Sequence, residues 1–176
     1  MFRRFHPISL SSAAKVLALC AAPLWAHAAT ASADADFMRK AASGGMAEVA
    51  AGKMAQGKAT NADVKAFATH MMDDHGRAND ELKQLAGTSG VTLPAGPDAK
   101  HKSDAHAMES MSGAAFDRTY MAMMVADHKS TIALFDTEAK NGKDAAAKEW
   151  ATNTLPTLRA HLKMALDAQK TTMASR

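Results

Sequence analysis

Three histidines, His75, His128 and His161, each fall in the middle of a long amphipathic segment. Two belong to a repeated pattern, Met71-x-x-Asp74-His75 and Met124-x-x-Asp127-His128, and Met164 follows His161 at i+3. On a helix, each imidazole then lies one turn from a methionine and shares its apolar face. A buried imidazole needs partners for its nitrogens. Several converging on one core suit either a metal site or a polar core network.

Glu48, His75, His128 and His161 lie 14, 14, 15 and 17 residues from the expected starts of their helices. Helices of similar length packed side by side bring all four to mid-height, whichever way each helix runs. One carboxylate and three imidazoles around a common axis could hold a divalent metal, with Met71 and Met124 as soft auxiliary ligands. Di-iron bundles use Glu-x-x-His pairs. Here the residues three before the histidines are Met72, Val125 and Leu158. Imidazole with thioether suits copper, and imidazole with carboxylate suits zinc. Asp74 and Asp127 precede their histidines and point about 100° away, better placed to support a ligand or face solvent than to ligate. The competing reading is a hydrogen-bonded core network that fixes helix register. His70, His101 and His106 read as surface residues. Burial on apolar faces is expected to lower the pKa of all three central histidines.

The elements that must position these residues are helical. The chain is rich in Ala, Met, Lys, Asp and Glu and poor in β-branched and aromatic types, which favours helix. Four long helices are expected over about 34–59, 61–86, 113–140 and 144–172. Thr60-Asn61-Ala62-Asp63 reads as a turn that caps the second helix, Gly87 as its stop, and Asn141-Gly142 as the close of the third. Pro156 should bend the last helix without ending it. Gly44, Gly45 and Gly52 would permit close helix contact. Residues 87–97 form an extended loop, and Asp98 opens a short helix to about Met111. Two hairpins joined by a long crossover between the second and third helices give an all-α, four-helix bundle of the ferritin-like kind.

The first 28 residues read as a cleaved signal peptide. Arg3-Arg4 provides a basic start, an apolar run follows from Ala13 to Trp25, and Ala26-His27-Ala28 supplies a small-x-small cleavage site. Residues 29–176 would then form one exported, periplasmic domain with no membrane-spanning segment. Without Arg3, Arg4 and Lys15, the 21 basic residues become 18 against 18 acidic ones. No nucleic-acid footprint remains. Cys20 leaves with the leader too, so neither a disulfide nor a thiolate site is available. No nucleophile–base pair or phosphate loop is present, so the reading is non-enzymatic or weakly catalytic.

The run Phe37 to Val49, Val64-Lys65-Ala66-Phe67-Ala68 leading to Met71-Met72-Asp73-Asp74-His75, Phe116-Asp117-Arg118-x-Tyr120, Asp127-His128, and Leu155-Pro156 before His161 resemble an exported family catalogued as domain of unknown function 4142. The resemblance implies a ferritin-like bundle of the bacterial envelope, with outer-membrane association in some members, and brings no activity. Phe116-Asp117-Arg118, Met123-Met124 and His128 are also similar to copper-associated proteins of the domain of unknown function 305 type, although Asp127 stands where those carry a first histidine. Together the residues point to copper or zinc bound in the core of an envelope protein, for metal handling or stress tolerance. The alternative is a cofactor-free structural module that docks on an envelope partner.

Overall fold

The computed structural model describes residues 24–174, with side chains from residue 33. The expected leader lies outside the described residues up to position 23. Five helices follow: α1 (Leu24–Lys58), α2 (Ala62–Thr88), α3 (Ala99–Met108), α4 (Gly113–Asn141) and α5 (Ala145–Ala174). No strand occurs among the described residues, so the all-α class holds.

Two boundaries of the long helices differ from expectation. The α1 backbone begins at Leu24, ten residues before Asp34. α2 runs through Gly87; the turn comes at Gly90, whose φ of 67° takes the left-handed conformation. There the Val91 N–H donates back to the Ala86 carbonyl at 2.8 Å, closing the helix. As expected, α5 passes through Pro156, because losing one amide donor does not offset the apolar stripe that continues beyond it.

The four long helices contact in the cycle α1–α2–α5–α4. Contacts at their ends fix the directions. At one end Asp117, at the start of α4, accepts from the Thr60 and Asn61 backbone N–H groups (3.2 and 2.9 Å) in the α1–α2 turn. The Asn61 side chain there also reaches Thr171 near the end of α5. At the opposite end Asp34 of α1 accepts from the Lys143 and Asp144 N–H groups (3.1 and 2.7 Å) in the α4–α5 turn. Ser89, just past α2, donates to Asp144 there. Hence α1 and α5 run one way and α2 and α4 the other.

The segment between α2 and α4 must therefore travel the length of the bundle. It is pinned along α1 in order: Arg39 donates to the Thr92 carbonyl, the Asp98 N–H to Ser43 Oγ, and Lys58 to the Glu109 and Met111 carbonyls. α3 packs on α1 and α4 within this segment.

The core has two halves. One holds Phe37, Phe135, Leu82, Leu155 and Leu158, with Phe37 and Phe135 edge to face at 5.0 Å. The other holds Phe67, Phe116, Tyr120 and a concentration of methionines. Between them, on all four long helices, lies one polar layer.

Candidate metal centre

Each member of that layer sits between residues of the two apolar halves on its own helix: Glu48 on α1, His75 on α2, His128 on α4 and His161 on α5. All four are buried, at 4%, 7%, 0% and 2% exposure. The expected level alignment is observed, and Asp34 rather than Leu24 marks the end of α1 that matters for it. The imidazole rings form a near-equilateral triangle, with centroids 5.3, 5.6 and 5.8 Å apart. One nitrogen from each lies within 4.8 Å of the other two.

Glycines bring α1 close enough for Glu48 to join. A methyl group at Gly52 would sit 2.8 Å from Met72 Cγ and 3.0 Å from the Ala68 carbonyl, and one at Gly45 would collide with Asn79. Both positions flank Glu48 by about one turn and face α2. Gly44 meets nothing within 4 Å and does not serve this approach, contrary to the sequence expectation. Glu48 Oε2 reaches His75 Nε2 at 2.6 Å, and Oε1 lies 3.4 Å from His128 Nδ1. The His75 contact is short but poorly directed, so Nε2 has an ionic neighbour without a formed hydrogen bond.

The other two rings have defined tautomers. A carbonyl can only accept, so His128 Nδ1–H donates to the Met124 carbonyl at 2.9 Å. In neutral His128 this leaves Nε2 as a lone-pair nitrogen, buried without a protein donor. His161 Nε2–H likewise donates to Asp74 Oδ2 at 2.8 Å and leaves Nδ1 buried and unpartnered. Asp74 thus orients a ring across the bundle from α5 rather than its sequence neighbour. Asp127 points outward and pairs with Lys100 of α3 at 3.2 Å.

The electrostatics divide the three histidines. For Glu48, burial is the largest influence and pushes its pKa up, but the three imidazoles outweigh it and bring the carboxyl down to about 2. For His75, burial again leads and pulls the pKa down. The charge and contact of Glu48, with help from Asp74, more than reverse it, so the net shift is upward. His161 is lowered, by burial first and then by His75 and His128, with Asp74 offsetting part. The expectation of a lowered value therefore holds for His161 and fails for His75, because the distance between Glu48 and His75 is set by helix packing that no local pattern encodes.

Met71 and Met124 are fully buried one turn before their histidines, in the methionine-rich half. His70 and His106 are exposed, as expected. His101 is half-buried instead, because its ring contacts the Asp98 carboxylate that caps α3. Tyr120 was not anticipated near the site. Its buried hydroxyl lacks a hydrogen-bond partner, and burial followed by the charge of Glu48 raises its pKa. Phe67 packs edge-on to both Tyr120 and His128. The Phe116-Asp117 pair serves the fold: Phe116 fills the core and Asp117 clamps the opposite hairpin.

Fold and site together define an all-α protein with a buried three-histidine layer flanked by two carboxylates. Residues 21–168 match the family described as domain of unknown function DUF4142, and the chain belongs to that family. No protein of curated function matches it. A crystal structure of a conserved hypothetical protein, rv2844, from Mycobacterium tuberculosis is similar in fold. It has a TM-score of 0.63 and 14% sequence identity, covering 80% of this chain and 93% of that one. No helix among the described residues is long and apolar enough to cross a membrane.

Proposed function

We propose that the histidine layer binds one transition-metal ion, copper or zinc, in an exported, ferritin-like bundle of the bacterial envelope. The protein acts in metal handling or stress tolerance rather than as an enzyme. One observation carries the reading: three buried imidazoles on three helices converge within 4.8 Å, and each retains a buried nitrogen without a hydrogen-bond partner. A purely structural network would leave His128 Nε2 and His161 Nδ1 uncompensated, at about 1–3 kcal/mol each, and would hold His75 only through the charge of Glu48.

The donor chemistry fits. Neutral imidazoles with the other nitrogen fixed by a carbonyl or carboxylate are the usual arrangement in metal-binding histidines. Ligand nitrogens about 2.0–2.1 Å from zinc sit roughly 3.4 Å apart in a tetrahedron. The layer must therefore contract by about 1.4 Å from its widest separation, within reach of side-chain rotation. His75, His128 and His161 would ligate. Glu48 either takes a fourth position or stays as the counter-charge of His75. Met71 and Met124 are the soft auxiliary donors if the ion is copper. Ligation displaces the proton held on His75.

Calorimetric titration of the purified protein with Zn(II) and with copper tests this. One equivalent should bind, and His75→Ala/His128→Ala should abolish the heat. Binding no stronger than in that double variant would refute the metal reading. It would leave the cofactor-free module, in which His75–Glu48 and His161–Asp74 merely lock helix register.

A further inference from the structure

A cleft of about 360 Å³ runs beneath α3, between it and the α1 and α4 helices, and ends at Glu48. Carboxylates grade inward along it: the side chain of Asp104 is 35% exposed, Asp127 13% and Glu48 5%. Between them the wall carries the thioethers of Met108, Met123 and Met124. Lys100 of α3 holds Asp104 at 2.7 Å and Asp127 at 3.2 Å, tying the crossover helix down across the cleft.

The methionines are unevenly placed. Eight belong to the core half that adjoins this cleft: Met54, Met71, Met108, Met111, Met121, Met123, Met124 and Met164. The other half has two, Met38 and Met46. Methionine as a filler of irregular cores accounts for neither the imbalance nor the carboxylates beside it. Thioethers bind soft ions, above all Cu(I), and carboxylates attract cations of any kind.

We propose that this cleft is the access route of the centre, and that its cargo is a soft monovalent cation, Cu(I). Glu48, Asp104, Glu109 and Asp127 line the cleft against Lys102 and the bridging Lys100, and this excess of carboxylates draws the ion in, past Met108 and Met123, to Glu48 and the histidines. It keeps its oxidation state throughout, so no redox partner is required. This inference rests on the metal reading above and adds to it the identity of the ion and its path.

The test separates rate from affinity. Cu(I) held by bicinchoninate is mixed anaerobically with the purified protein, and loss of the chelator's colour follows loading. Met108→Leu/Met123→Leu nearly conserves volume and is tolerated by most cores. It should slow loading about tenfold while shifting the equilibrium partition less than about threefold. Ala50→Phe, a change at an exposed residue on the cleft wall, should slow loading by obstruction and serves if the double variant misfolds. Unchanged loading rates in both variants would overturn the route. So would a parallel fall in rate and affinity, which would make the thioethers resident ligands. Wild-type protein that binds Zn(II) but takes no Cu(I) would refute this inference and leave the metal centre standing. Binding of neither would refute the metal centre itself.

Discussion

Replacing Glu48 with Gln in metal-free protein should destabilise the fold in a pH-dependent way. The folded carboxyl ionises at about 2 against an ordinary 4.5, so in its charged form it favours the folded state by on the order of 3 kcal/mol. That contribution is present above 4.5 and lost as pH falls from 4.5 toward 2. It is therefore fully developed between pH 5.5 and 7.5. His75 supplies the pH dependence inside that window. In the wild type its pKa is raised, so its contribution is fully present below about 6.5 and lost as pH rises through the folded value.

With Gln at position 48 the raising influences shrink and burial dominates. The His75 value then falls below 6.5, and the variant loses stability on acidification instead. The two folded proteins differ by at most one bound proton over these two pH units. Their stability gap can therefore change by no more than about 2.7 kcal/mol; about 2 kcal/mol is expected, with the larger gap at pH 5.5. For a domain of this size that is a difference of roughly 4–8 °C in the melting-temperature gap. His161, lowered by its own surroundings, is common to both proteins and largely cancels. Thermal unfolding with EDTA at pH 5.5, 6.5 and 7.5 measures the gap. A gap that stays constant, or grows toward pH 7.5, would show that Glu48 does not hold a proton on His75.

Asp74→Asn should weaken metal binding about 10- to 100-fold with unchanged helicity by circular dichroism, because it disturbs the ring orientation of His161 and otherwise removes only the pair with exposed Arg77 and a minor charge near His75; unaltered affinity would remove Asp74 from the site. Among the glycines, Gly44→Ala should stabilise by about 0.5–1 kcal/mol, since nothing lies near the new methyl group. Gly52→Ala should destabilise, because crowding of the immovable Ala68 carbonyl, about 1–3 kcal/mol, exceeds the helix-propensity gain of about 1 kcal/mol. Urea denaturation of the pair reads both, and a stabilised Gly52→Ala would contradict the close α1–α2 approach.

Much of this was legible in the chain because helical periodicity is local. The α2, α4 and α5 limits fall within about two residues of expectation, and the mid-height positions of Glu48, His75, His128 and His161 follow from counting along each helix. What local pattern could not supply was pairing across helices. Asp74 and Asp127 occupy identical dipeptides, yet one meets His161 and the other Lys100. That difference depends on α3 lying over the α1–α4 side. The raised His75 value had the same origin, since it depends on a Glu48 distance set by Gly45 and Gly52. The end clamps do carry a signal in the sequence: Asp34 and Asp117 stand 83 residues apart, and so do Asn61 and Asp144.

That spacing bears on whether the histidine layer belongs to the fold or to function. The two hairpins repeat one another: Asp117 receives the N–H groups of residues 60 and 61, and Asp34 those of residues 143 and 144. Asn61 caps α2 through the N–H groups of residues 63 and 64, and Asp144 caps α5 through those of 146 and 147. Phe37 and Tyr120 correspond, as do Met38 and Met121, all of them buried. The central layer breaks the repeat. Opposite Glu48, His75, His128 and His161 in the other hairpin stand Thr131, Leu158, Gly45 and Ala78. The same backbone thus accepts an apolar side chain, or almost none, at three of the positions that carry imidazole. Packing imposes no need for histidine at those levels, and burying three imidazoles and a carboxylate costs free energy that a leucine layer would not. Symmetry retained in the clamps and abandoned at mid-height is the pattern expected when the ends are held by folding and the centre by a bound ion.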